Sequence, residues 1–402
     1  YIGHGRIVSI GRQTEGFTSD HSINASNLVI CPGLIDLSAR LRERGQHNTA
    51  SIASETKAAI KGGITTLCIA PDHDPIIDSP ATVDLIEGQV TRAGQAHVHT
   101  IGALTQGLQG ELLSEMLALK QAGCLGLSNG PKTIKNTLIL RRAMEYAATL
   151  DLTLFIKASD PWLQAQGCIH EGVVSSRLGL GGIPEAAETI AIARDLSLIE
   201  QTGVNAHFHS ISSGKTINMI KDAQNRGLPI TADVSPYHLH LTEHDISNYD
   251  SQSHVIPPLR STRDREQLQQ AVKDGIITVI SSHHRPLDND AKLGPFAETE
   301  PGISGLESLL SLTLKLAQGE ELPLQQAIAC LTQNPAQVLG IDAGHLSLGA
   351  KADICIIDPK ADSECQPENF ISAGKNSPFD GWHFDYDVAY TLLNGQIAYQ
   401  KG

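Results

Sequence analysis

The sequence predicts an α/β protein: a (β/α)8 TIM barrel carrying a small β-sandwich built from both chain ends. Three observations lead there. Short aliphatic runs alternate with helical patterns through most of the 402 residues, as a parallel sheet wrapped in helices requires. Eight such runs fall within the middle of the chain, which suits a closed barrel better than an open doubly wound sheet. The two ends carry strand-like segments and no convincing helix.

The strand-like runs lie at 28–38, 65–71, 97–104, 125–128, 153–158, 204–211, 229–236 and 277–284. Helical patterns between them, at 49–61, 110–122, 138–148, 185–201, 215–225 and 304–316, place apolar residues three and four apart, the period that buries one face of a helix. Several close on glycine, at Gly62-Gly63, Gly123 and Gly227, the residue best suited to end a helix. The barrel is expected over 31–344, and the sandwich over 1–30 together with 345–402. A long polar loop, 287–305, follows the last barrel strand, where loops of this architecture shape the site.

Thirty Lys and Arg against forty-four Asp and Glu leave a formal charge of −14. Such a surface repels phosphate backbones and anionic lipid, so neither nucleic acid nor a membrane is an expected partner. No apolar run approaches the roughly 18–20 residues that cross a bilayer, and no signal peptide is expected. Seven cysteines at irregular spacing, without a CxxC pair, point to reduced, mostly buried thiols and a cytoplasmic location.

Barrels of this type react at the C-terminal ends of their strands, and motifs there carry a resemblance. Pro32-Gly33-Leu34-Ile35-Asp36-Leu37-Ser38-Ala39-Arg40-Leu41-Arg42-Glu43 is similar to the first-strand signature of the dihydroorotases, within the amidohydrolase superfamily. Thr231-Ala232-Asp233-Val234-Ser235-Pro236-Tyr237-His238-Leu239, Pro257-Pro258-Leu259-Arg260 and Pro301-Gly302-Ile303-Ser304-Gly305-Leu306-Glu307 follow in family order, as do Asn334-Pro335-Ala336 and Gly349-Ala350-Lys351-Ala352-Asp353. The resemblance implies an amidohydrolase-type barrel with its β-sandwich appendage.

It also implies a departure where the family works. Active members carry Asp-x-His-x-His on the first strand to grip a metal, typically zinc; here the two histidine places hold Ser38 and Arg40. The bridging acidic residue corresponds to Asn129, the strand-five histidine to Lys157, the strand-six histidine to Ser210, and the catalytic aspartate of strand eight to His283. A hydroxyl is a weak zinc ligand and a guanidinium never coordinates. Two unit charges about 4 Å apart at an effective dielectric near 20 interact by roughly 4 kcal/mol, and a divalent ion would meet more than that from each cation. Arg40 and Lys157 are therefore expected to replace the metal electrostatically and to pair with carboxylates such as Asp36 or Asp160. Neither zinc nor another cofactor is expected.

Substrate positions change too. The family's carboxylate-holding Asn corresponds to Asp72, another Asn to Ile256, and the last His of the strand-eight motif to Leu287. Arg42, the family's carboxylate clamp, persists, with a salt bridge to Asp72 as its plainer role. His207 and His209 share a strand face; with Ser210 aimed at the metal position, the pair is expected to turn outward toward the helices.

The reading that follows is a catalytically inactive dihydroorotase-like chain, kept for its surface. The resemblance implies a structural partnership with the catalytic chain of aspartate transcarbamoylase in pyrimidine biosynthesis, in homo- and hetero-oligomers. The alternatives are an active or residual cyclic-amide hydrolase with an unconventional metal-poor site, and a pseudoenzyme that senses an anion through Arg40, Arg42 and Lys157.

Overall fold

Eight parallel strands, β1 to β8, run in sequential order around one sheet in a computed structural model that describes residues 1–11, 15–41, 50–93, 95–246, 248–318 and 322–402. They are Leu34–Ala39, Ile64–Ile69, His97–Ala103, Gly126–Ser128, Thr153–Ile156, Ala206–Phe208, Ile230–Val234 and Val279–Ile280. The ring closes beyond β8, where His284 bridges Ala39 in parallel and the Arg40 amide donates to the His284 carbonyl at 3.0 Å. The expected barrel is thus present, with the strands at the places that the aliphatic runs mark.

Barrel strands are covered on both faces, so they read as unbroken apolar runs. β2, Ile-Thr-Thr-Leu-Cys-Ile, is buried at every residue. Ile35, Leu37, Cys68, Ile101, Phe155 and Val279 fill the barrel interior, whereas Leu34, Leu67 and Ile69 pack outward with the helices. The two layers follow from alternate side chains pointing to opposite faces. Helices open on side-chain caps that satisfy their first amides: Ser51 forms a capping box with Ser54 before Ile52–Lys61, and Asn136 accepts from Leu138 and Ile139 before Thr137–Thr149.

The single run expected at 28–38 is two strands. Val29–Pro32 pairs antiparallel with Ile354–Asp358, and the chain then turns at Gly33 into β1. A Cβ at Gly33 would collide with the Thr65 side chain, so the backbones approach closely only because glycine stands there. The four-stranded sheet runs Gln396–Gln400, Asp387–Leu393, Ile354–Asp358, Val29–Pro32, which joins both chain ends. Its alternation divides the labour: Cys355 and Ile357 join the main core, while Ile354 and Ile356 pack with Ile7 of the N-terminal hairpin. The helix expected at 110–122 is shorter, Met116–Gln121, because Gly110 at φ +75 and the turn before it fold back on Leu104 and Thr105. All seven cysteines are buried and none is in a disulfide. Among the described residues no helix is long and apolar enough to cross a membrane.

Candidate functional site

The strand ends open into a cavity of about 260 Å³ at the barrel mouth. Six of the residues singled out by sequence line it: Ser38 and Arg40 beyond the middle of β1, Lys157 after β5, Ser210 after β6, Ile256, and His283 after β8. Three do not. The Asn129 side chain is tied to the local loop, accepting from Thr105 Oγ1 at 2.6 Å and donating to the Lys132 carbonyl at 2.9 Å. Leu287 is buried and its amide donates to Asn376 Oδ1 at 2.9 Å. Asp72 stands behind Arg40. Arg42 lies outside the described residues.

Arg40 and Lys157 do not pair with Asp36 or Asp160. Arg40 Nε donates to Asp72 Oδ2 at 2.8 Å, and the salt bridge expected between Arg42 and Asp72 falls outside the described residues. Burial pushes the Asp72 carboxyl up, but the adjacent Arg40 charge and hydrogen bond outweigh it and hold the group below its usual range. Asp36 is already taken: its two oxygens accept from the Ser282 amide at 2.7 Å and hydroxyl at 2.6 Å. Asp160 caps the short helix Pro161–Gln164 through the Trp162 and Leu163 amides. Lys157 Nζ instead donates to the Ile256 carbonyl at 2.9 Å. Its ammonium is lowered to about 7, first by burial, then by Arg40 and Arg285, against a smaller pull from Asp72.

His207 and His209 face inward, contrary to the outward orientation that sequence spacing alone gives. β6 ends at Phe208, and the backbone then takes φ +55 at Ser210. That turn lets His209 and Ser210 both reach the cavity instead of alternating away from it. Both imidazoles also pack on Phe155, with ring centroids 5.5 and 5.2 Å away.

What draws them in is Asp233 on β7, fully buried. Its Oδ2 meets His207 Nε2 at 3.1 Å and His209 Nδ1 at 2.5 Å, while Oδ1 meets His283 Nε2 at 2.8 Å and the Ser210 amide at 2.7 Å. Burial alone would raise this carboxyl. The His283 and His209 charges and the His207 and His209 hydrogen bonds outweigh it and hold the group well below its ordinary value. His207 Nδ1 is engaged by Thr231 Oγ1 at 2.7 Å, and burial lowers this imidazole. Residue 207 is opposite 231 in the strand register, so period-two alternation on β6 and β7 carries the signal that joins His209 to Asp233.

A second buried pair supports the closing seam. His284 Nε2 lies 2.9 Å from Glu55 Oε2, both without solvent exposure, and Nδ1 accepts from the Gly305 amide at 3.1 Å. An accepting Nδ1 places the ring proton on Nε2, which therefore donates to Glu55. Arg285 and Tyr237 complete the cavity wall, two residues to which the sequence motifs assign no role. Burial raises the Tyr237 phenol to about 12, so it is a hydrogen-bond donor at neutral pH.

The fold is that of the amidohydrolase barrels. A family described as Dihydro-orotase-like matches residues 27–216, and one described as Amidohydrolase family matches 311–399. A dihydroorotase-like protein of Pseudomonas aeruginosa is 46% identical over 400 residues, covering 100% of this chain and 94% of its own length. A dihydroorotase of Geobacter sp. (strain M21) is 36% identical over 401 residues, with 100% and 94% covered. L-Hydantoinase (dihydropyrimidinase) from Arthrobacter aurescens shares the fold at a TM-score of 0.87 and 22% identity, covering 100% of this chain and 92% of that one. The chain belongs to the dihydroorotase-like family of the amidohydrolases.

The zinc that this family implies does not fit the residues present. Two of the corresponding strand-end positions carry Arg40 and Lys157, donors without a lone pair to offer while charged. Among the described residues one other group converges: His207, His209 and Asp233, whose ligand atoms lie within 4.8 Å of one another. Tetrahedral zinc with bonds of about 2.0–2.1 Å keeps its ligand atoms roughly 3.4 Å apart. Here His209 Nδ1 and Asp233 Oδ2 touch at 2.5 Å, so the cluster is closed by its own hydrogen bonds. What the cavity does offer is positive charge from Arg40, Arg285 and Lys157, and an amine that is partly neutral near pH 7.

Proposed function

We propose that this chain is a non-catalytic dihydroorotase-like subunit that supports assembly of the catalytic chain of aspartate transcarbamoylase in pyrimidine biosynthesis. The observation that carries the inactive half of this reading is the permanent positive charge of Arg40 and Arg285 on the cavity wall at the strand ends, to which Lys157 adds whenever it is protonated. A divalent ion there would have to overcome their repulsion before it could lower the pKa of bound water toward ~7. A fold retained without that chemistry is retained for its surface. In this reading the barrel spans 31–344, the segments 1–30 and 345–402 form the appendage, and the chain works without zinc in a cytoplasmic oligomer. The partnership itself rests on the family resemblance.

Co-expression tests it. Tagged chain should co-elute with the transcarbamoylase catalytic chain, and the latter should assemble poorly when expressed alone. A transcarbamoylase that assembles and works fully by itself, and never co-elutes, would end the proposal.

One observation favours a second reading. His209 and His283 line the cavity and each is hydrogen-bonded to buried Asp233, the arrangement of an imidazole oriented by a carboxylate for general acid–base work. Residual cyclic-amide hydrolysis would appear as dihydroorotate ring opening that is lost in Asp233→Asn and in His283→Gln.

A further inference from the structure

Lys157 is built as a reactive amine rather than as one half of an ion pair. It follows β5 at the C-terminal mouth of the barrel, and its side chain lines the cavity. Its Nζ has a neutral carbonyl as partner, Ile256 O at 2.9 Å, and no carboxylate among the described residues lies within 4.0 Å. The nearest charged neighbours come from three elements: Arg40 beyond β1 and Arg285 beyond β8 disfavour its protonated form, and Asp72 beyond β2 opposes them more weakly. Across the same cavity stand His209 and His283, both bonded to Asp233. A lysine desolvated beside other cations holds its lone pair at neutral pH, the usual route to a nucleophilic amine.

The cavity suits a small ligand of defined chemistry. Its wall combines apolar Leu37, Phe155 and Ile256 with the guanidinium-bearing Arg40 and Arg285. Guanidinium charge beside an apolar patch favours a small carboxylate with a short carbon chain. We propose that the cavity captures a small 2-oxo acid reversibly, as an imine on Lys157. This goes beyond an assembly role and stands whether or not the chain meets a transcarbamoylase.

The step balances without any further reagent. The Nζ lone pair forms a C–N bond to the ligand's carbonyl carbon, and the C=O π pair moves to oxygen, which gains the proton that nitrogen releases. The hydroxyl of this carbinolamine then leaves with a second proton as water, and the nitrogen lone pair forms the C=N bond. The remaining N–H proton of the original amine is the one carried away in that water, so amine and ketone give imine and water. Neutral Tyr237 and the imidazoles of His209 and His283 line the same space and are the groups able to hand protons to the departing hydroxyl.

Trapping with sodium borohydride tests it, using pyruvate as the probe on the full chain. Peptide mass spectrometry should find a single carboxyethyl group, the reduced form of the pyruvate imine, on Lys157. Labelling there should exceed that of exposed Lys215 by about tenfold or more at pH 7, because little of a surface amine is neutral at that pH. Lys157→Arg should abolish the site-specific label. Arg285→Gln, which alters a wall residue and leaves the amine, should slow capture of pyruvate more than capture of uncharged acetaldehyde. Label spread over surface lysines by exposure, no label on Lys157 of the unaltered chain, or equal slowing of both probes would each overturn the proposal.

Discussion

Arg40 Nε lies 2.8 Å from Asp72 Oδ2 at the barrel mouth, a charged hydrogen bond between the end of β1 and the loop after β2. The pair neutralises a carboxylate whose other oxygen, Oδ1, is buried without a hydrogen-bond partner among the described residues. Asp72 therefore depends on Arg40 for its charged state. The guanidinium in turn is fixed at the cavity wall by that bond, where it raises the local positive potential.

Arg40→Met should accordingly cost about 1–3 kcal/mol, the range for stranding a partly buried charge. Arg40→Met with Asp72→Asn should cost less than the single change, since the stranded charge is gone. Urea denaturation of the three variants, read as a double-mutant cycle, measures the difference. Equal losses in single and double variants would mean that the pair contributes packing only.

Asp233 should dominate the acid limb of stability. Its folded-state carboxyl is held well below the ordinary value. It therefore stabilises the fold above the unfolded-state value near pH 4, and that contribution is lost as pH falls through the folded value. Asp233→Asn should destabilise by about 3–5 kcal/mol at pH 7, because three imidazoles and the Ser210 amide lose the buried carboxylate that they share. It should also flatten the decline in stability below pH 4. Melting temperature against pH for both proteins checks the slope.

The barrel was legible in the sequence because parallel strands sealed on both faces leave unbroken apolar runs, as in Ile64–Ile69. Family-ordered motifs then led to Ser38, Arg40, Lys157, Ser210, Ile256 and His283 on the cavity wall. Other features depended on the chain between the motifs. An inward Ser210 turns His209 outward only if strand alternation continues through both residues, and the left-handed backbone at Ser210 breaks that assumption, so both reach the cavity. Asn129 and Leu287 are motif positions drawn off by loop hydrogen bonds to Thr105 and Asn376, which no spacing reveals. Asp36 and Asp160 were plausible partners for the cations on charge alone. Ser282 and a helix N-terminus claimed them first.

Lys157 gives a pH test with the opposite sense to Asp233. Its folded value, about 7, lies below the 10.5 of an ordinary lysine. Between those two values the unfolded chain binds more protons, so this group's contribution to stability rises with pH across that window and is flat below it. Lys157→Met should therefore be more stable than the unaltered chain at pH 6, by at most a few kcal/mol, with the gap narrowing as pH rises from about 7 toward 10. Calorimetric melting at pH 6, 8 and 9.5 reads it directly. A gap independent of pH would show that the amine keeps its ordinary titration.

Restoring the first-strand histidines should not restore chemistry. Ser38→His with Arg40→His leaves Lys157, Ser210 and His283 on the cavity wall and Asn129 turned into its loop. Zinc titration followed by calorimetry should show no stoichiometric site in this double variant, and a dihydroorotate ring-opening assay should show no gain.

The most direct measurement is metal content and turnover on the same purified, unaltered chain. The protein would be dialysed against micromolar zinc, assayed by plasma emission spectrometry, and offered dihydroorotate with and without a chelator. The expected result is zinc far below one ion per chain and no ring opening in either arm. Zinc near one ion or more per chain, with ring opening that the chelator abolishes, would contradict a barrel mouth whose cations keep a divalent ion out.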